Sequence, residues 1–172
     1  MKNLKLFLTI MMISSTPIFG GDYLMLSELG TSAKSIALGN ILGFERSAAS
    51  IFENPASLYK TKDMSLALFS TKIVDELGVY AFSLSKKTEF GTFGLAYLLG
   101  SVTNIYKTGA QTGDLEGVFF VESEFDYKDQ AFKFAYANAL DETSNYGVSV
   151  TKYEKSIGGI AAGGFGIEAG YY

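Results

Sequence analysis

The feature that most constrains this chain is a period-two alternation in which one face is large and aromatic and the other is small. LGVYAFSLS (77–85) sets Tyr80, Phe82 and Leu84 against Val79, Ala81, Ser83 and Ser85. FGTFGLAYLL (90–99) sets Phe93, Leu95, Tyr97 and Leu99 against Thr92, Gly94 and Ala96. YKDQAFKFAYANAL sets Phe132, Phe134, Tyr136 and Leu140 against Asp129, Ala131, Lys133, Ala135 and Ala137. YGVSVTKY (146–153) sets Tyr146, Val148 and Val150 against Gly147, Ser149 and Thr151. At 164–172, Phe165, Ile167, Ala169 and Tyr171 oppose Gly164, Gly166, Glu168 and Gly170, and a weaker strand, MSLALFS, occupies 64–70. Strict alternation predicts strands with two unlike faces.

The chemistry of the two faces decides which of them meets water. A soluble antiparallel sheet puts its apolar face in a core and a charged or Thr-rich face outside. Here the second face is Gly, Ala and Ser with a few charges. Apolar and aromatic residues outward, small and polar residues inward, in strands of about 9–11 residues, is the pattern of an outer-membrane barrel. Tyr97, Tyr127, Tyr153 and Tyr171, near strand ends, suit its aromatic girdles. The expected fold is therefore all-β: a partial antiparallel transmembrane β-barrel of about six or seven strands. The links KKTE (86–89) and DETSN (141–145) are short, whereas STKIVDE, the 100–124 segment and Ser156–Gly163 fall on the opposite side as longer connections. VFFVESE (118–124) reads either as a further strand or as an extension of the next one.

Single-chain barrels close with eight strands or more, and an open edge in lipid leaves N–H and C=O groups unpaired at several kcal/mol each. The expectation is that other chains pair with these edges or that the chain is part of a longer barrel. Counting back by twos from Tyr172 gives Gly170, Glu168 and Gly166, so the apolar face ends at Tyr171 and the ending reads as an internal strand that was cut.

Composition removes whole classes of function. The chain has no cysteine and no histidine. Disulfides, thiolate metal sites and iron–sulfur clusters are excluded, as are His-dependent triads, and the expectation is no metal, no cofactor and no enzyme. A net charge of −4 without a basic block gives nucleic acid no footing.

Residues 1–20, MKNLKLFLTIMMISSTPIFG, read as a secretory signal peptide. Lys2 and Lys5 precede an apolar run from Leu6 to Ile13, Ser14–Pro17 break a helix, and Gly20 or Gly21 offers a cleavage site. The run is too short to span a bilayer as a helix. The predicted layout is a signal peptide over 1–20, a helical or irregular hatch segment over 21–60, and barrel strands over 61–172.

The segment between leader and strands carries a resemblance. It contains Ala37-Leu38-Gly39-Asn40, then Glu45-Arg46-Ser47-Ala48-Ala49-Ser50-Ile51-Phe52, then Asn54-Pro55-Ala56-Ser57-Leu58. This order resembles the N-terminal region of the FadL-like outer-membrane superfamily, including the PorV/PorQ proteins, where a small-residue segment and a short acidic helix precede an aromatic and N-P-A-G-L. The runs Gly147–Tyr153 and Gly164–Tyr172 are similar to that family's strands. Glu53 between the aromatic and Asn54, and Ser57 in place of glycine, depart from the pattern. The resemblance implies an N-terminal hatch folded into the lumen, with Asn54, Pro55 and Ala56 as its motif. It implies a place in the bacterial outer membrane and either passage of hydrophobic compounds or a role in type IX-type protein secretion. The partners it implies are outer-membrane lipid and a hydrophobic ligand or secreted protein. Asn54 before Pro55 favours an extended or turn conformation that ends a helix.

Other constellations are weaker. Glu122, Glu124, Asp126 and Asp129 read as a solvated strand end. Gly158-Gly159 and Gly163-Gly164 lack the context of a phosphate loop. The alternative function is a small exported β-barrel that binds or oligomerises without transport.

Overall fold

A computed structural model describes Leu26 and residues 29–74, 76–110 and 118–172. The signal-peptide reading of 1–20 lies outside the described residues. Among the described residues, three short helical elements precede the strands. Helix α1 (Ala33–Ala37) is capped by Ser32, whose Oγ accepts from Ser35 N at 3.0 Å. The 3-10 helices η1 (Ala48–Phe52) and η2 (Pro55–Lys60) are capped by Ser47 and Asn54. Six strands follow: β1 (Met64–Ile73), β2 (Leu77–Thr88), β3 (Gly91–Ala110), β4 (Phe119–Ala139), β5 (Asn145–Ile157) and β6 (Ile160–Tyr171). They form one antiparallel sheet in sequence order, β1-β2-β3-β4-β5-β6. The protein is all-β apart from its N-terminal segment, and among the described residues β1 and β6 each have one neighbour.

The register aligns the two faces across the sheet. One rung runs Leu66–Leu84–Leu95–Phe134–Val150–Ile167, and the next runs Leu68–Phe82–Tyr97–Phe132–Lys152–Phe165. These side chains are largely uncovered, with Leu68 and Phe165 72% and Ile167 73% exposed. The opposite rungs, such as Ser83–Ala96–Lys133–Thr151, are buried beneath the N-terminal segment. The burial is thus inverted relative to a soluble sheet. The small face is covered, and the large face meets the surroundings. Aromatic pairs stack along that outer face, Tyr97 on Phe132 at 4.5 Å and Phe93 on Tyr136 at 5.2 Å between centroids. Such cross-strand pairs hold register as well as filling surface.

The strands are longer than their alternation announces. VFFVESE is the start of β4, whose pairing with β3 carries on from Thr92↔Ala137 out to Ala110↔Phe119. Register shifts between Val102 and Ile105 and between Lys107 and Thr108 accommodate extra residues. Bulges of this kind break the side-chain period while keeping the backbone ladder. The strands accordingly take in much of the expected long connections: β1 runs to Ile73, β3 to Ala110, β4 starts at Phe119, and only residues 158–159 separate β5 from β6. At the last of these, Gly158 and Gly159 take φ of 57° and 86°. Two successive positive φ values make the two-residue hairpin turn that lets both strands run to its edge.

Candidate functional site

The N-terminal segment lies on the small face at the end of the sheet where β2–β3 and β4–β5 turn. Its anchors are Ile51 and Leu58, both 0% exposed, packed on Ala96, Ala135 and Ala137 with Phe52 and Tyr59 alongside. A second cluster of Leu26, Val79, Ala81 and Leu98 sits further along the same face. The alanines and glycines of the wall are what allow this approach. A Cβ at Gly94 would stand 2.8 Å from Leu58 Cδ1 and 3.0 Å from Ile51 Cδ1.

Asn54, Pro55 and Ala56 occupy the closest seam. Asn54 is extended (φ −155°, ψ 116°), as a residue before proline should be. It ends the first 3-10 helix and also begins the second: its Oδ1 accepts from Ala56 N at 2.9 Å, and Pro55 fills the first helical position. Proline is favoured there because its missing N–H would have had no partner. The other end of the same amide reaches the sheet, with Asn54 Nδ2 donating to Tyr171 O at 3.0 Å. Beneath them, register places Gly147 opposite Gly170. A Cβ on Gly147 would run into the backbone of Pro55 and Ala56, and one on Gly170 into the Asn54 side chain. The motif therefore fits a cradle made by two glycines on adjacent strands.

Further ties close the perimeter. Ala48 N donates to Ser65 Oγ of β1 at 3.0 Å, and Lys60 Nζ lies 3.7 Å over the Tyr172 ring. Glu45 is buried and accepts from Ser32 Oγ, Arg46 N and Ser47 N, each at 2.9 Å. Burial pushes its carboxyl up, but these donors outweigh burial and leave it below the usual glutamate range. Asp141 caps the β4–β5 turn; the Thr143 backbone N–H, above all, holds its carboxyl low.

The seam also carries a cost. The hydroxyls of Ser50 and Ser57 on the docked segment, and of Thr92 and Ser149 on the wall, are buried without a hydrogen-bond partner among the protein's own described groups. Each unpartnered polar group costs on the order of 1–3 kcal/mol against a hydrated state. A seam built this way docks less firmly than an apolar core of the same area.

Above the cradle the wall turns polar. Lys133, 7% exposed, pairs with Glu168 across β5 at 2.7 Å, and further up Lys155 pairs with Asp129 at 3.4 Å. The acidic residues singled out in the sequence are scattered along β4, and Glu122, Asp126 and Asp129 are engaged locally. Glu122 pairs with Lys107 at 2.6 Å, Asp126 accepts from Asn104 N at 3.3 Å, and Asp129 accepts from the Tyr127 hydroxyl at 3.2 Å. Among the described residues no group of three or more acidic side chains converges in a way that would hold a metal.

Sequence reasoning singled out Asn54, Pro55 and Ala56 but not the two glycines they pack against. Gly147 and Gly170 looked like ordinary members of a small face, and their pairing under Pro55 depends on register, which no local signal shows. No family model, curated protein or solved structure matches the chain.

Proposed function

We propose that this chain forms an outer-membrane barrel wall of the FadL/PorV type carrying a lumenal hatch, and that its role is gated passage of hydrophobic compounds. The observation that carries the reading is the inverted burial. The face bearing Leu66, Phe82, Leu95, Phe134, Val150 and Ile167 is left uncovered, while the Gly/Ala/Ser face is packed. An apolar surface spread over six strands far exceeds what a soluble protein leaves in water. The apolar rungs from Tyr80 to Tyr146 span roughly 27 Å along the strands at about 6.8 Å per two residues. Strand tilt brings that to about 20 Å, close to the apolar band of outer-membrane barrels. The seam with its unpartnered hydroxyls suits a hatch that docks and releases.

The test is fractionation of cells expressing the full chain, followed by gel migration with and without heating in detergent. The expected result is recovery in the outer membrane and heat-modifiable migration with a β-rich circular dichroism spectrum. A protein that stays in solution without detergent contradicts the reading and leaves an exported soluble β protein.

A further inference from the structure

We propose that the aromatic outer face holds one phospholipid at a defined place, and that its head group carries both a phosphate and a primary ammonium. The head group sits on Lys152, Glu154, Lys128 and Gln130, and the acyl chains lie in grooves on either side of Phe82 and Tyr97. The proposal rests on the membrane-wall reading above and names a lipid for that wall.

Lys152 is a charge on an apolar face. Register sets it between Phe132 on β4 and Phe165 on β6. An ionisable side chain on the lipid side of a strand is costly unless its charge is met, so its place points to a partner. Its ion pair within the chain is with Glu154, two residues along β5, at 3.5 Å, and both side chains keep much of their surface exposed. An ammonium has three donors and a carboxylate two acceptor oxygens, so this long contact leaves both with capacity for a ligand. Gln130 stands directly opposite Glu154. The Tyr97 hydroxyl donates to Gln130 Oε1 at 3.0 Å, which leaves the amide N–H groups as the end that can donate outward. One rung further, Lys128 is exposed opposite Ser156 and diagonal to Glu154, a separation that long side chains bridge. Two cations, one amide donor and one carboxylate thus share a patch two strands wide. A phosphate alone would gain the lysines and be repelled by Glu154; an ammonium alone would meet the reverse. A head group bearing both satisfies all four, with phosphate oxygens accepting from Lys152, Lys128 and Gln130 and the ammonium donating to Glu154.

The surface below the patch is grooved. One groove of about 420 Å³ runs over Leu95, Phe134 and Val150, with Phe165 on one flank and Lys152 among its lining residues. A second, of about 390 Å³, lies over Leu68, Ser70 and Tyr80. Phe82 and Tyr97 line both, so they form the ridge between the two. Two apolar grooves that share a ridge beside a mixed-charge patch suit a lipid with two chains and a zwitterionic head. Tyr97 joins the parts, because its ring stacks on Phe132 at 4.5 Å while its hydroxyl fixes Gln130. The depth agrees as well. Tyr80 and Glu154 share the rung that ends the apolar band, so the head group lies at the edge of that band and the chains run into it.

The experiment is native mass measurement of the full chain in mild detergent, offered phosphatidylethanolamine, phosphatidylcholine or phosphatidylglycerol with identical acyl chains. Phosphatidylcholine keeps the phosphate and the positive charge, but its methylated nitrogen has no hydrogen to donate. Phosphatidylglycerol keeps the phosphate and has no ammonium. The expected result is one phosphatidylethanolamine retained about ten-fold more tightly than either of the others, the size of one charge-assisted hydrogen bond. Lys152→Met should weaken retention of all three lipids, and Glu154→Gln should remove the preference for phosphatidylethanolamine while phosphatidylglycerol binds at least as well as before. Both substitutions keep the shape of exposed side chains, and the comparison of lipids on the native chain needs neither variant. Equal retention of the three lipids by the native chain, retention unchanged in Lys152→Met, or a preference that survives Glu154→Gln overturns the lipid site and leaves the wall reading standing. A chain soluble without detergent overturns both.

Discussion

Gly147→Ala is the sharpest perturbation of the docked N-terminal segment. A methyl group there points from β5 into the backbone of Pro55 and Ala56, at separations that real Cβ atoms do not show. Rotamer changes cannot relieve a clash with backbone, so η2 or β5 must move. Overpacking of a close seam costs typically 1–3 kcal/mol; at about 2 kcal/mol the undocked population rises roughly 30-fold. Two other glycines grade the argument. At Gly94 the nearest atoms are the tips of Leu58 and Ile51, which can yield, so Gly94→Ala should cost less. At Gly164 nothing lies within 4 Å, so Gly164→Ala should be neutral or slightly stabilising. The assay is hydrogen exchange in detergent, read at the Ser57 and Thr61 amides that close η2. The expected order of acceleration is Gly147, then Gly94, then Gly164. Equal rates for Gly147→Ala and Gly164→Ala would refute the docking geometry.

The remaining predictions concern the same seam. Asn54→Ala removes a cap and an edge bond together and should destabilise docking by about 1–2 kcal/mol, whereas Asn54→Asp keeps the acceptor for Ala56 N and should lose only the bond to Tyr171 O; thermal melting of the hatch distinguishes them. Thr92→Val and Ser149→Ala each remove a buried unpartnered hydroxyl and should tighten docking by about 1 kcal/mol, seen as slower exchange at the same amides. Glu45 has a lowered folded pKa, so the folded N-terminal segment binds fewer protons than the unfolded one. Its stabilisation is present above the ordinary glutamate range and is lost as pH falls through that range and below it. Protease nicking near Ser32–Ser47 should therefore increase at acid pH, and Glu45→Gln should abolish most of that dependence.

Strand existence and facing were legible because the two faces differ so much in size: Phe82 against Ser83, or Phe134 against Ala135, leaves only one assignment. Strand ends were not. Past Ser101 and before Tyr127 the side chains lose their alternation at the bulges, but backbone pairing does not depend on it and continues to Ala110 and Phe119. Asn54-Pro55-Ala56 was legible as a turn from local chemistry alone. That it begins a helix as well as ending one follows from the cap on Ala56 N, which required knowing where the chain goes next. Its attachment to Tyr171 and its seat on Gly147 and Gly170 join residues about a hundred positions apart, through a register that only the folded sheet supplies.

The central claim is that the aromatic face meets lipid and the small face does not. The natural absence of cysteine allows single-cysteine variants to carry an environment-sensitive fluorophore without background. Labels at Leu84, Leu95, Phe134 and Val150 should be strongly quenched by lipids with brominated acyl chains, and labels on the opposite face at Ser85, Ala96, Ala135 and Ser149 should not. Equal quenching on the two faces, or stronger quenching at the second set, would contradict the account.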